Sequence, residues 1–285
     1  AGNSITSGGN YNVLVGDEAG TALTTGDNNV AIGFEALKTE DANGDNVAVG
    51  YQALKTLNAG VDGFNTGVGY QAGTAMTTGV ENTLLGGLAG DALTDADYNT
   101  ALGYRSLSAD TKGSRSVAVG RESLFNQNFS TATDSYNVAV GYSAGQQVTT
   151  GTQNTLVGGE AADALTDSDF NVAVGYHALG ADTLGSRSTA IGHSALAAQN
   201  FTTATNSHNV GVGYFAGAAV TTGTQNTLIG ALAGDALTTG SSNVALGFQA
   251  LTTDTLGQSS VAIGRNALIV QNFTTATDSF NVAIG

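Results

Sequence analysis

A five-residue motif, Asn-(Val/Thr)-x-(Val/Ile/Leu)-Gly, occurs sixteen times in this chain and constrains its fold more than any other feature. The motifs begin at positions 12, 29, 46, 65, 82, 99, 116, 137, 154, 171, 188, 209, 226, 243, 260 and 281. The first residue, which we call the anchor, is Asn except at Ser116, Ser188 and Ser260, and the fifth is always Gly. Eleven of the fifteen steps from one anchor to the next equal 17, one equals 19 and three equal 21. Units this short cannot bury a core alone, so neighbouring units must stack.

A longer period lies above the short one, because the anchors at 65, 137, 209 and 281 are equally spaced, 72 positions apart. We therefore expect one repeat domain over 1–285. It consists of leading coils at 1–64, three blocks at 65–136, 137–208 and 209–280, and the start of a further coil at 281–285. The sequence begins without Met and stops within a repeat. We expect it to be part of a longer chain.

The motif alternates in the way a strand does. Val138 and Val140 flank Ala139, which is a period of two residues. The Gly after each strand can adopt a positive φ at a corner, and the anchor Asn tolerates left-handed conformations in turns. Proline is absent from the chain, and a ladder of paired strands has little room for it. The prediction is an all-β, parallel β-solenoid in which each 17-residue unit forms one coil.

The residue between the two branched positions of the motif is Ala, Gly or Leu in all sixteen units. We expect the first and third residues after the anchor to fill the interior and the middle residue to point outward. Strands that are apolar on both faces are buried on both faces. Ala139, Ala173, Gly211 and Ala245 would then face other chains of an oligomer. A flattened monomeric solenoid with a mildly apolar face is the alternative.

The segments that begin at Ser116, Ser188 and Ser260, such as Ser116-Val-Ala-Val-Gly, resemble the head repeat of trimeric autotransporter adhesins. The form Asn-Val-Ala-Val-Gly-Tyr looks like repeats of bacteriophage tail fibres. The resemblance implies left-handed β-rolls in an intertwined or side-by-side homotrimer. The adhesin repeat is shorter, and no heptad stalk is present in this sequence. A virion or extracellular fibre is therefore favoured over an autotransporter.

The composition argues against several functions. A formal charge of −15 disfavours nucleic acid and anionic membranes as partners, and no apolar run is long enough for membrane insertion. The three histidines recur at no fixed phase, and no trio of nucleophile, base and acid recurs. We expect neither enzyme activity nor a cofactor. The acidic turns at 91–99 and 163–171 leave Ca²⁺ binding open, although a solvated turn is the simpler interpretation.

The 21-residue units carry an insert at 127–135, 199–207 and 271–279. Each contains one phenylalanine and ends beside another ring. Insertions in repeat proteins often collect on a binding face. The candidate surface-binding ridge, for a cell-surface glycan or protein, is Phe129, Phe201, Phe273, Tyr136, His208 and Phe280. The alternative is that each phenylalanine packs on its own or a neighbouring chain and fixes the register.

These features predict a structural or adhesive rod segment of an extracellular or phage tail fibre, on the outside of a cell or virion. It would provide reach and a means of attaching to a host surface. A filament subunit without receptor binding is one alternative. An ice-binding solenoid is another, because threonine pairs recur at Thr77-Thr78, Thr149-Thr150 and Thr221-Thr222.

Overall fold

The computed structural model describes residues 1–285 and contains twenty-two β-strands and no helix. The strands are β1 (Val13–Val15), β2 (Val30–Ile32), β3 (Val47–Val49), β4 (Thr66–Val68), β5 (Thr83–Leu85), β6 (Thr100–Leu102), β7 (Gly113–Ser114), β8 (Val117–Val119), β9 (Thr133–Asp134), β10 (Val138–Val140), β11 (Thr155–Val157), β12 (Val172–Val174), β13 (Gly185–Ser186), β14 (Thr189–Ile191), β15 (Thr205–Asn206), β16 (Val210–Val212), β17 (Thr227–Ile229), β18 (Val244–Leu246), β19 (Gly257–Gln258), β20 (Val261–Ile263), β21 (Thr277–Asp278) and β22 (Val282–Ile284). The sixteen three-residue strands coincide with the sixteen motifs. The predicted parallel β-solenoid, in which each repeat unit forms one turn, is confirmed.

The chain divides into two compact units, Ala1–Ala139 and Val140–Gly285, and the division falls inside β10. In the first unit β1 to β6 and then β8 pair in parallel and in chain order, while β7 pairs with β9. In the second unit β11, β12, β14, β16, β17, β18, β20 and β22 form the corresponding ladder, with β13–β15 and β19–β21 as short side pairs. Motif residues at equal distances from their anchors lie opposite one another in both units.

The anchor asparagines join successive turns from the inside. In the 17-residue turns, their side chains accept the backbone N–H of the next anchor and donate to a carbonyl fourteen residues further on. The Oδ1 of Asn226 lies 3.0 Å from the backbone N of Asn243, and its Nδ2 lies 2.8 Å from the carbonyl O of Gly240. Asn226 is fully buried, and each such hydrogen bond contributes about 0.5–1.5 kcal/mol net.

The predicted orientation of the strand side chains is wrong. Ala173, in the middle of β12, is fully buried, whereas Val172 and Val174 on either side of it are partly exposed. Ala139 and Ala245 are buried in the same way, and Gly211 is also in the interior. So short a turn encloses a narrow space, which the middle residue of the strand fills together with the eighth residue after the anchor. The branched residues therefore point outward.

The side-chain volumes of the second and the eighth residue after the anchor compensate each other in the interior. Where the second is Leu the eighth is Gly or Ala, and eight turns combine Ala with Leu, as in Ala173 and Leu179. The first turn of each 72-residue block has small residues at both positions, and leucines of other turns fill the space. A Cβ on Gly217, for example, would lie 2.6 Å from Leu228 Cδ1 and 2.8 Å from Leu196 Cδ2.

Left-handed backbone occurs at fixed places in nearly every turn: one residue before the anchor, and six and eight residues after it. Phe170, His177 and Leu179 have φ values of 61°, 51° and 55°. Forty residues other than glycine have such values, and each costs about 1–3 kcal/mol. The anchor asparagines are not among them. The left-handed role predicted for the anchors is therefore wrong, and they act as the hydrogen-bonding ladder instead.

The Gly that follows each strand has a φ between 120° and 141° in every complete turn, so the predicted positive φ is confirmed. Successive corners also touch. A Cβ on Gly158 would lie 2.5 Å from the carbonyl O of Gly175 in the next turn. The adjacent Gly159 has no positive φ, and its Cβ would make an ordinary 3.6 Å contact with Tyr176.

These two neighbouring glycines allow a matched test. We expect Gly158→Val to lower the free energy of unfolding by more than about 3 kcal/mol, because it combines a forbidden φ with a backbone collision. Gly159→Val should change it by less than about 1 kcal/mol. Urea unfolding followed by circular dichroism measures both. Equal losses in the two variants would contradict the corner geometry.

The volume balance predicts that a second substitution rescues a first. Ala173→Leu should destabilise the fold by about 1–3 kcal/mol, since Leu179 already fills the interior beside it. Ala173→Leu combined with Leu179→Gly recreates the pair found at Leu228 and Gly234, and it should regain most of the lost stability. The same unfolding measurement checks both variants. If the double variant loses as much free energy of unfolding as the two single variants together, or more, the two positions do not share one space.

Candidate functional site

The most extensive exposed feature is the outer side of the three-residue strands, which we call the strand face. It consists of the first and third residues after each anchor, and all thirty-two are Val, Thr, Ile or Leu. Ile32, Leu85, Ile191 and Leu246 are each between 37 and 43 % exposed. No charged residue interrupts this face, although charged side chains make up 11% of the chain.

Aromatic residues form one border of the strand face, five residues after the anchor. In the first unit Phe34 stacks on Tyr51 at 5.4 Å between ring centroids, and Tyr51 stacks on Tyr70 at 5.3 Å. In the second unit the ring of His193 lies 5.4 Å from Tyr176 and 5.5 Å from Tyr214. The tyrosines are about half exposed. We call this column the tyrosine border.

The other border, formed by the residues directly before the anchors, contains aromatic residues and two arginines. The guanidinium of Arg115 lies 4.5 Å from the ring centroid of Tyr98, and that of Arg187 lies 4.7 Å from Phe170. We call this column the arginine border. These cation–π contacts hold both arginines in place on the surface.

The two arginines differ in their polar partners. Arg115 forms an ion pair of 3.1 Å with Asp134 of the insert. At the equivalent place Arg187 donates from Nε to the uncharged Asn206, also at 3.1 Å.

The candidate surface-binding ridge is divided by the structure. Phe129 and Phe201 are only 5 % exposed, and Phe273 is half-buried. The rings of Phe129 and Phe201 therefore pack on their own chain. Tyr136, His208 and Phe280 are exposed and belong to the arginine border. The phenylalanines of the inserts are therefore not displayed as a row of binding side chains.

A buried carboxylate holds each insert on the turn before it. Asp182 is fully buried. Its Oδ1 accepts the backbone N–H groups of Gly185 at 3.0 Å and of Phe201 at 3.1 Å, and its Oδ2 accepts the side-chain amide of Gln199 at 2.5 Å. Asp110 and Asp254 repeat the arrangement in their blocks.

The buried glutamine of the insert connects this carboxylate to the anchors. Gln199 Nε2 also lies 2.7 Å from Ser188 Oγ, and its Oε1 accepts from Asn209 Nδ2 at 2.8 Å. Ser188 Oγ is in turn 2.5 Å from Ser207 Oγ. Gln199 thus donates to the smaller serine anchor and accepts from the next anchor. This explains why the three serine anchors are those that begin the 21-residue turns.

A signal for this network was present in the sequence, eleven residues after the anchor. Ordinary turns have Leu, Met or Val there, the 21-residue turns have Gln, and every turn before a lengthened one has an acid. Glu40 precedes the 19-residue turn and accepts the N–H of Ala59 at 3.4 Å. Burial raises the pKa of Glu40. These residues were not among the predicted site residues, because a carboxylate in a repeat usually lies on the surface.

The carboxylates of the acidic turns bind different hydrogen-bond donors and do not converge on one point. Asp91 accepts from Ser108 at 2.5 Å, and Asp97 accepts the backbone N–H of Val80 at 2.8 Å. Burial raises the pKa of Asp91 and of Asp163. No group of three or more His, Cys, Asp or Glu side chains is arranged to hold a metal ion. Ca²⁺ binding at these turns gains no support from the geometry.

The threonine column proposed for ice binding is used within the fold. Thr77 Oγ1 lies 3.2 Å from the carbonyl O of Thr94, and Thr221 Oγ1 lies 3.2 Å from that of Thr238. The hydroxyls of these first threonines donate to the next turn and are not free to order water, whereas the second threonines of the pairs, Thr78, Thr150 and Thr222, are exposed.

The three histidines lie in three different environments. His193 stacks within the tyrosine border, His177 fills the space beside Gly180, and His208 is exposed. A hydrogen bond to Glu160 raises the pKa of the Tyr176 phenol. The surface has no ligand-sized pocket.

The contribution of the buried carboxylate to stability can be tested by replacing it with leucine, which occupies the same position in several ordinary turns. Asp182→Leu should destabilise the fold by about 3 kcal/mol or more, because three donors lose their acceptor in the interior. Asp182→Asn retains an acceptor for the backbone N–H groups and should have a smaller effect. Thermal and urea unfolding compare the two, and a neutral Asp182→Leu would show that the network contributes nothing.

The chain contains no helix with the length and hydrophobicity needed to cross a membrane. Comparisons with protein-family models, with curated proteins and with solved structures gave no match. The solenoid and its exposed strand face are accordingly the basis on which a function is proposed.

Proposed function

We propose that this chain is a non-catalytic structural segment of a fibre on the outside of a cell or virion. Copies of the chain would associate side by side through the strand face. The observation that carries the proposal is this face, which is uncharged and mostly apolar along every turn of both units. Soluble monomers rarely expose a continuous apolar patch of more than a few hundred Å².

Identical copies are the natural occupants of the strand face. The face repeats with every turn, so a partner must offer the same repeat over the same length, and a second copy does so by construction. Closed rotational symmetry covers the face on every copy. The resemblance of the serine-anchored motifs to trimeric adhesin heads favours three copies, and a homotrimer is the assembly we propose.

A purely structural role is better supported than host attachment. Phe129 and Phe201 pack on their own chain, and the exposed members of the ridge, Tyr136, His208 and Phe280, lie on a border of the strand face. The net charge of −15 keeps fibres apart by repulsion and disfavours adhesion to anionic surfaces. Antibody labelling of intact cells or virions tests the proposed location.

One strand provides a matched test of the assembly. Val172→Glu combined with Val174→Glu should leave the monomer folded, since both side chains are partly exposed in the single chain. In the assembly the new carboxylates would be buried without partners, and the dissociation constant should rise about 100-fold or more. Sedimentation velocity measures the assembly, and circular dichroism measures the fold.

Ala173→Glu, in the same strand, is the control. Its side chain points into the solenoid, so this variant should unfold at every protein concentration. An unsubstituted chain that sediments as a folded monomer at high concentration would disprove the proposed assembly. So would a double valine variant that assembles as well as the unsubstituted protein.

A further inference from the structure

The two borders of the strand face have complementary side chains, and this suggests how neighbouring copies meet. The following inference rests on the proposed side-by-side assembly. Closing several strand faces around an axis brings the arginine border of one copy beside the tyrosine border of the next. We propose that the borders meet with an offset of one turn, so that Arg187 contacts Tyr176 or Tyr214 of the neighbouring copy.

Charge disfavours contact between residues of the same turn. Arg115 and Arg121 belong to one turn but to opposite borders. A level contact, in which each turn meets the same turn of the neighbouring copy, would therefore place two guanidinium groups against each other at every interface. Like charges directly opposite each other are destabilising. An offset of one turn replaces this contact with one between Arg115 and an aromatic ring, for example that of Tyr104.

Side-chain size favours the same offset. The tyrosine border has a gap at Gly87, which a level contact would place opposite Glu81 of the same turn. An offset in one direction places Phe64 at this gap, and an offset in the other direction places Tyr98 there. In both cases a ring faces the position that lacks a side chain, which is the closer packing that interfaces require.

The chain already contains the chemistry of the proposed contact. Arg187 lies over Phe170 and donates from Nε to Asn206. Its terminal N–H groups can donate to a phenol oxygen, which has acceptor capacity while its own proton is donated elsewhere. Tyr176 has such a partner in Glu160. Tyr214 is 55 % exposed.

Double-mutant cycles on the assembly test this contact. Alanine variants of Arg187, Tyr176, Tyr214 and His193 are made singly, and Arg187→Ala is combined with each of the other three. Because the two borders lie on opposite sides of the strand face, coupling in the dissociation constant reports contact between copies. We expect a coupling of about threefold or more with Tyr176 or Tyr214 and none with His193. Melting curves of each variant verify the fold.

A second set of cycles around Arg115 guards against a local rearrangement. Arg115→Ala should couple with Tyr104→Ala if Arg187 couples with Tyr176, or with Tyr142→Ala if Arg187 couples with Tyr214, and in neither case with Arg121→Ala. Coupling of Arg187 with His193, or of Arg115 with Arg121, would overturn the offset, and so would the absence of any coupling in an intact oligomer. If the unsubstituted chain is monomeric, the proposed assembly itself fails, and sedimentation distinguishes that result from the others.

Discussion

The ladder of buried asparagines is the interaction on which the rest of the structure depends. Each main strand has only three residues, so the sheet alone supplies few hydrogen bonds per turn. Left-handed residues recur in the turns and are individually unfavourable, and such strain persists only where the surroundings fix it. The anchor side chain does so from inside. As Asn226 shows, it accepts from the next turn and donates across its own, which sets both the spacing and the register of the turns.

The same ladder determines what can face outward. The anchors occupy part of a narrow interior, and the remaining space is divided between small residues and leucines such as Ala173 and Leu179. The branched residues of the strands have no room inside. A chain built in this way carries an apolar surface as a direct consequence of its core. The proposed association of copies through that surface would need no separate binding site.

The inserts illustrate how the solenoid accepts a longer turn. Extra residues bring extra backbone N–H groups into the interior, and an unsatisfied buried donor is costly. Asp182 accepts the N–H of Phe201 in the insert as well as that of Gly185 in its own turn, and Gln199 restores the link between the anchors where serine has replaced asparagine. Phe201 then covers the network. The insert is thus a structural solution to a change in turn length, which is why its sequence hardly varies.

The repeat spacing by itself determined the solenoid, the position of every main strand and the corner glycines, because these depend on periodicity along the chain. Only the tertiary structure decided which side of each strand is inside. Alternation separates Val172 from Ala173, but both are apolar, so hydrophobicity cannot rank them. The volume balance between Ala173 and Leu179 gives the answer only once the two are known to share one interior. Burial of the anchor amides was equally hidden, since asparagine is common in exposed turns and a buried one is recognised by its partners in adjacent turns.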